Sequence, residues 1–299
     1  FAVFTILVAF FGIGTFAQVN AIVDSMKISF GVPIYITDII LTLLVGIIIF
    51  GGLKSIARAA TAIVPFMAVL YFVTCFSILI LHITEIPAAI MLIIDSAFNG
   101  HAALGGFAGS TMMMAMQNGI ARGVFCNESG LGSAPIAAAA AKTNWPAEQG
   151  LISMTGTFID TLFICTMTGT TLILTGEWAG THAGAAMTNA AFSYDYGSIG
   201  GIILTVSLIL FAFTTILGWN YYGERACQYL FGIKGIVPYR IIFTILVASG
   251  AYLELQSIWV LADIVNGLMA IPNLIAIIAL SGVISLETKK YFEHLKENK

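Results

Sequence analysis

Residues 122–143 read Arg-Gly-Val-Phe-Cys-Asn-Glu-Ser-Gly-Leu-Gly-Ser-Ala-Pro-Ile-Ala-Ala-Ala-Ala-Ala-Lys-Thr. An arginine, a glutamate, three glycines and a proline stand here inside an otherwise very apolar chain. A helix in lipid satisfies its backbone internally and keeps charge out of hydrocarbon, and this stretch does neither. It predicts an interrupted helix lining a cavity, with Arg122, Asn127 and Glu128 turned away from lipid. Freed backbone groups at such a break can hold a solute or an ion. Close helix packing alone accounts for the glycines and for alanines 137–141, but it has no use for Arg122 and Glu128 together. An unpaired charge at the bilayer centre costs at least about 2.5–3.5 kcal/mol, so the two should pair with each other or with neighbouring helices. Pro135 follows Gly130 and Gly132 and is placed to open a second half-helix, with Ser133 as its cap. The N–H groups of that start would face a carboxylate.

The rest of the composition agrees. Mean hydropathy is +0.98 and charged residues make up 9%, against about 25% in an ordinary soluble protein. Twelve basic and 15 acidic residues give a net charge of −3, which leaves no basic face for nucleic acid. Cys75, Cys126, Cys165 and Cys227 stand singly in or beside apolar runs, so neither a disulfide framework nor a Cys-x-x-Cys metal site is expected. The chain begins at Phe1 within an apolar run, with neither an initiator Met nor a charged leader. It reads as lacking its N-terminal part.

Apolar stretches of about 20 residues predict eight spans: 1–22, 33–51, 60–83, 103–141 with a break, 151–175, 200–230, 239–254 and 257–285. Segment 86–97 is too short to cross and is expected at an interface. Lys54, Arg58, Lys142, Lys234, Arg240 and tail residues Lys289, Lys290, Lys296 and Lys299 share one set of loops. The opposite set holds Lys27, with Glu85, Glu177, Asp195 and Glu254 nearby. This asymmetry predicts both ends in the cytoplasm, a membrane domain over 1–286 and a charged cytoplasmic tail over 287–299. The long loop 176–199 would be extracytoplasmic and able to form part of a lid.

The run 122–143, continued by Gln149-Gly150-Leu151 and Met154-Thr155-Gly156-Thr157-Phe158-Ile159-Asp160-Thr161, resembles the alanine or glycine:cation symporter family. So do Gly12-Ile13-Gly14 with Gln18 and Asn20, Gly51-Gly52-Leu53-Lys54-Ser55-Ile56, Val64-Pro65-Phe66-Met67-Ala68-Val69, Leu217-Gly218-Trp219-Asn220-Tyr221-Tyr222-Gly223-Glu224 and residues 266–274. The likeness covers essentially the whole chain. It implies an all-α polytopic membrane protein of the LeuT type, two inverted five-helix repeats plus one additional N-terminal helix. Span 1–22 would be its third core helix, 103–141 the discontinuous sixth and 200–230 the eighth, with the earlier helices missing.

By that resemblance Gln18 matches a polar residue facing the bound amino acid; otherwise it bonds a neighbouring helix. Thr214 and Thr215 match a hydroxyl pair that helps to hold the coupling sodium ion, whereas a threonine in a membrane helix more often bonds its own i−4 carbonyl. Trp219 lies one turn beyond Thr215 on the same face, where its ring can cap a small side chain and favour alanine or glycine. Gly119, Gly123 and Asn127 are the break residues expected to offer backbone or amide groups to substrate. Asp160, near mid-membrane, is either a partner for Arg122 or part of an ion path; Asp263 is similar but closer to a surface. Asp24, Asp38 and Asp95 fall near span ends, and His82, His101, His182 and His294 are isolated, without metal-ligand spacing.

The implied activity is sodium-driven import of alanine or glycine across the cell membrane by alternating access, with no cofactor beyond the coupling ion. A proton-coupled transporter of the same fold, with Glu128 or Asp160 titrating, is the alternative. An intramembrane enzyme would read Asp160 and Asp263 as a carboxylate pair, but neither Gly-x-Gly-Asp nor His-Glu-x-x-His occurs. A passive channel shares the composition, and accumulation against a gradient separates the two.

Overall fold

The computed structural model describes residues 1–98 and 108–297, so His101, Lys299 and the start of the expected span 103–141 lie outside them. Regular structure among the described residues is helical throughout. Six helical stretches are long and apolar enough to cross a membrane: Ala2–Phe30, Leu53–Leu81, Pro146–Leu174, Ala185–Phe231, Ile233–Gly250 and Gln256–Glu297. Against the eight spans expected, Ile34–Phe50 is apolar but only 17 residues long, and the broken segment carries too much polarity to qualify. The short segment expected at 86–97 is helix α5, Ile86–Phe98.

Helix α10, Ala185–Phe231, is the spine. Against it pack α1 (Ala2–Phe11), α2 (Phe16–Phe30) and α4 (Leu53–Leu81). Next to these stand α3 (Ile34–Phe50) and α11 (Ile236–Gly250). Val8, Val19, Val45, Ile216, Leu217 and Phe243 form one fully or almost fully buried core between these elements. Ile47, Phe66, Ile245 and Ile278 point outward and exposed. An apolar outer face over an apolar core suits a chain whose surrounding solvent is lipid.

Several expected boundaries give way to tertiary context. The first span is two helices rather than one, because Gly12-Ile13-Gly14-Thr15 interrupts it. A Cβ on Gly14 would lie 2.5 Å from Cβ and Cγ of Trp219, so only a glycine lets α10 approach this closely. The Thr15 hydroxyl donates to the Ala9 carbonyl, and the Gln18 amide donates to the Ile13 carbonyl at 3.1 Å; these bonds satisfy groups the break sets free. Span 60–83 starts earlier, at Leu53, and tolerates Pro65 inside α4. Span 151–175 is three pieces: α8 (Pro146–Phe158), a π-helical segment Ile159–Cys165, and α9 (Thr166–Leu174).

The loop expected over 176–199 is helical from Ala185 and joins span 200–230 across a bend at Gly197, whose φ is 57°. Its alanines are the best helix formers, and Ala191 and Phe192 are fully buried. Asn189 fixes this segment by donating to Ser29 Oγ, Gly201 O and Thr205 Oγ1, each at 3.1 Å. His82, far from isolated, meets Asp195 at 3.0 Å and Glu85 at 3.3 Å, and so ties the end of α4 to the same segment. Asp38, expected at a solvated span end, is buried inside α3. The tail expected after 286 continues α12 (Leu255–Glu297) without a stop, supported by pairs such as Glu287–Lys290 at 2.7 Å.

One buried charge cluster joins α10 to α11. Glu224, 2% exposed, accepts from Arg240 Nε at 2.7 Å, Arg240 Nη2 at 3.1 Å and Arg225 Nη2 at 2.8 Å. The close approach depends on Gly223, where a Cβ would overlap the Tyr239 hydroxyl.

Candidate functional site: two helix breaks around Trp219

The second break lies where the motif at 122–143 places it. Helix α6, Ala108–Asn127, ends at Asn127, and the chain turns through Glu128, Gly130 and Gly132 with φ of 54°, 80° and 89° before α7, Ala134–Ala138. Glycine takes left-handed backbone without cost; glutamate does not, so Glu128 is held there by its surroundings. Ser133 donates to Glu128 Oε2 at 2.6 Å, and Asn273 of α12 donates to the Gly130 carbonyl at 2.9 Å. A Cβ on Gly132 would stand 2.6 Å from Asn273 Oδ1, so the turn is packed tight against α12.

Two expectations for this segment are corrected. Ser133 does not cap α7; its hydroxyl serves Glu128 instead. The second half-helix is five residues long, too short to gather the aligned dipoles that an anion site at its start requires.

Trp219 connects the two breaks. It is 1% exposed, its Cβ and Cγ seat over Gly14, and its indole N–H is near the Glu128 carboxyl. The sequence placed Trp219 on the face of Thr215, and the same face of α10 therefore reaches the Gly12–Thr15 break. Gln18 lies at that break and donates its amide to the Ile13 carbonyl at 3.1 Å, within the same helix pair.

Thr214 Oγ1 donates to the carbonyls of Leu210 and Phe211 and Thr215 Oγ1 to that of Phe211, all at 2.9 Å. These are the local bonds common in membrane helices, and they leave the oxygen lone pairs able to accept or to face a cation. Asn127 is committed on both sides: its amide donates to Thr161 Oγ1 at 3.3 Å, and its oxygen accepts from the Ser129 N–H at 2.9 Å. Gly119 and Gly123 face open space, where a Cβ would meet nothing within 4 Å.

Arg122 pairs with neither Glu128 nor Asp160. It forms a two-pronged pair with Asp263 of α12, at 3.0 and 3.1 Å, and its guanidinium lies over the Trp259 ring at 4.6 Å. The pair borders a cavity of about 390 Å³, also lined by Asn118, Asn266 and Gly267. Asp160 sits instead beside Cys126, so Asp160 and Asp263 form no carboxylate pair.

Sequence reasoning left two polar residues unranked. Asn220 and Asn266 are fully buried, and both polar atoms of each side chain lack a partner. Such groups cost about 1–3 kcal/mol each, which a bound ligand or water returns. The signal was present: each stands inside a motif that carried the family resemblance, 217–224 and 266–274.

Comparison with known proteins places the chain firmly. The family model described as the sodium:alanine symporter family matches residues 1–299. An uncharacterized transporter of Haemophilus influenzae is 61% identical, over all of this chain and 66% of its own length. The sodium/alanine symporter AgcS of Methanococcus maripaludis is 47% identical, over 95% of this chain and 63% of its own length. A probable sodium/glutamine symporter, GlnT of Bacillus subtilis, is 38% identical over 94% of this chain and 59% of its own length. The chain thus spans less than two thirds of the length of these relatives.

Proposed function

The chain belongs to the sodium:alanine symporter family, and on that premise we propose that it forms the larger part of a secondary active transporter importing alanine or glycine with sodium by alternating access. A family of transporters and several long apolar helices make it a multi-pass membrane protein. The observation that carries the reading is Trp219, buried between Gly14 at one helix break and Glu128 at the other. A wide ring fixed there leaves little room for a side chain beyond a methyl group, which suits alanine and glycine and disfavours glutamine.

In this reading the helices form part of two inverted repeats of the LeuT type, both ends of the chain face the cytoplasm, and residues 287–299 are a cytoplasmic tail. The Gly12–Thr15 break, Gln18, Gly119, Gly123, Asn127 and Thr215 surround the amino acid with Trp219. The oxygens of Thr214 and Thr215 contribute to the sodium shell, since hydroxyl and carbonyl oxygens suit a hard cation. Arg122, through Asp263, holds α6 to α12 beside the site.

The test uses the complete reading frame containing this chain, reconstituted in vesicles with radiolabelled alanine and either a sodium gradient or choline. Sodium-driven accumulation blocked by glycine and indifferent to glutamine is the expected result. Block by glutamine removes the size argument from Trp219; equal uptake in both salts removes sodium and turns attention to protons at Glu128 or Asp160.

A further inference from the structure

The four cysteines stand apart in sequence, but the fold brings two of them and one carboxylate to a point. Cys126 Sγ lies 3.2 Å from Cys165 Sγ and 2.8 Å from Asp160 Oδ2. All three candidate ligand atoms are within 4.8 Å of one another.

What assembles them is local. Residues five apart on an α-helix point about 140° away from each other, which would turn Asp160 and Cys165 to different neighbours. Segment Ile159–Cys165 is π-helical, and the wider turn places i and i+5 one above the other. Both then face α6, where Cys126 completes the triangle and the adjacent Asn127 registers the two helices through Thr161. Short π segments inside α-helices occur frequently at functional sites.

We propose that Cys126, Cys165 and Asp160 form a binding site for a soft divalent cation of the Zn2+ or Cd2+ class. Two thiolates and a carboxylate are a ligand set for Zn2+, with a fourth position open to water. At metal–sulfur distances near 2.3 Å and metal–oxygen distances near 2.0 Å, tetrahedral geometry sets the sulfurs about 3.8 Å apart and sulfur to oxygen about 3.5 Å. The observed separations are shorter by less than an ångström, which small χ1 rotations supply. Binding converts both thiols to thiolates and releases their two protons to water; no oxidant takes part.

The bound ion would clamp α6 to the π segment two residues before Glu128, at the start of the break. That should stop transport, a consequence which rests on the functional reading above; the binding itself does not.

The experiment is a Cd2+ titration of the purified complete transporter, followed by the ultraviolet thiolate-to-metal band and by calorimetry. One ion per chain is expected, with affinity reduced more than about tenfold in each of Cys126→Ser, Cys165→Ser and Asp160→Asn. X-ray absorption of the Zn2+-loaded wild type should count two sulfur scatterers, a result independent of whether any variant folds. Cd2+ binding that persists in both serine variants, or a wild type that takes up no Cd2+, overturns the proposal. So does thiol titration showing Cys126 and Cys165 already joined in a disulfide. Cd2+ that binds through both cysteines yet leaves alanine uptake unchanged overturns the clamp and spares the site.

Discussion

Two arginine–carboxylate clusters bridge helices in this molecule, and they are built in opposite ways. Glu224 is 2% exposed and receives two arginines, of which Arg240 is 15% exposed. Arg122 and Asp263 are 41% and 43% exposed and border a cavity. A buried charge stripped of its partner is very costly, whereas an exposed pair contributes about 0–1 kcal/mol. The first is therefore a permanent strut between α10 and α11. The second is a tie between α6 and α12 at the edge of a cavity, beside the helix break proposed to hold substrate.

The largest effect should come from breaking the strut. Glu224→Ala leaves Arg240, mostly shielded at 15% exposed, without its carboxylate, a loss of about 3–5 kcal/mol, and should abolish the monodisperse folded peak in size-exclusion chromatography. If that variant runs as a folded monodisperse protein, the strut assignment is wrong. Next comes Gly14→Val, whose side chain would collide with Trp219; uptake should fall below detection even where membrane expression survives.

Trp219→Leu probes the ring itself. The variant should raise the KM for alanine about tenfold, equivalent to about 1.4 kcal/mol, and admit larger amino acids measured by competition. At the tie, Asp263→Asn should shift thermal stability by no more than about 1 kcal/mol, while changing the rate of uptake. A large loss of stability there would erase the contrast between the two clusters.

The smallest effect concerns His82, in the turn after α4. Its hydrogen bond to Asp195, aided by Glu85, raises its pKa above the ordinary 6.5 against the opposing effect of burial. A raised folded-state value means that the imidazolium stabilises the fold fully at pH below 6.5 and loses that contribution as pH climbs through the folded value. The difference in melting temperature between wild type and His82→Gln should thus be greatest at acid pH and shrink as the solution turns alkaline. A difference that grows with pH reverses the assignment.

Much of this was legible in the residues. The break at 128–133 followed from Gly130, Gly132 and Pro135, and apolar runs located Ile34–Phe50 closely at both ends and Ile236–Gly250 to within about a turn, whereas the other expected spans missed at least one helix end by more than a turn. What escaped were features that exist only between elements. Nothing local shows that Gly12–Thr15 must yield to Trp219, since the clash arises across 205 positions of chain (219 − 14). Asp263 could not be assigned to Arg122, because pairing between α6 and α12 is a matter of packing angle. The segment 185–196 looked like a loop because glycines and threonines on either side outweighed its alanines. The meeting of Cys126 with Cys165 depends on a change of helical pitch that no propensity scale encodes.

Helix α12 carries one more consequence. Its 43 residues, at a rise of about 1.5 Å each, extend about 65 Å, roughly twice the hydrocarbon thickness of a bilayer. Asp263 lies near one end, and the helix runs some 50 Å beyond it to Glu297. If the segment moves as one body despite Pro272 within it, a tilt of about 5° pivoting at Asp263 sweeps the far tip through about 4 Å, by lever-arm geometry on that length. Angular change too small to detect beside the cavity thus becomes a displacement readable by a pair of spin labels, one at Glu297 and one on the opposite face of the molecule.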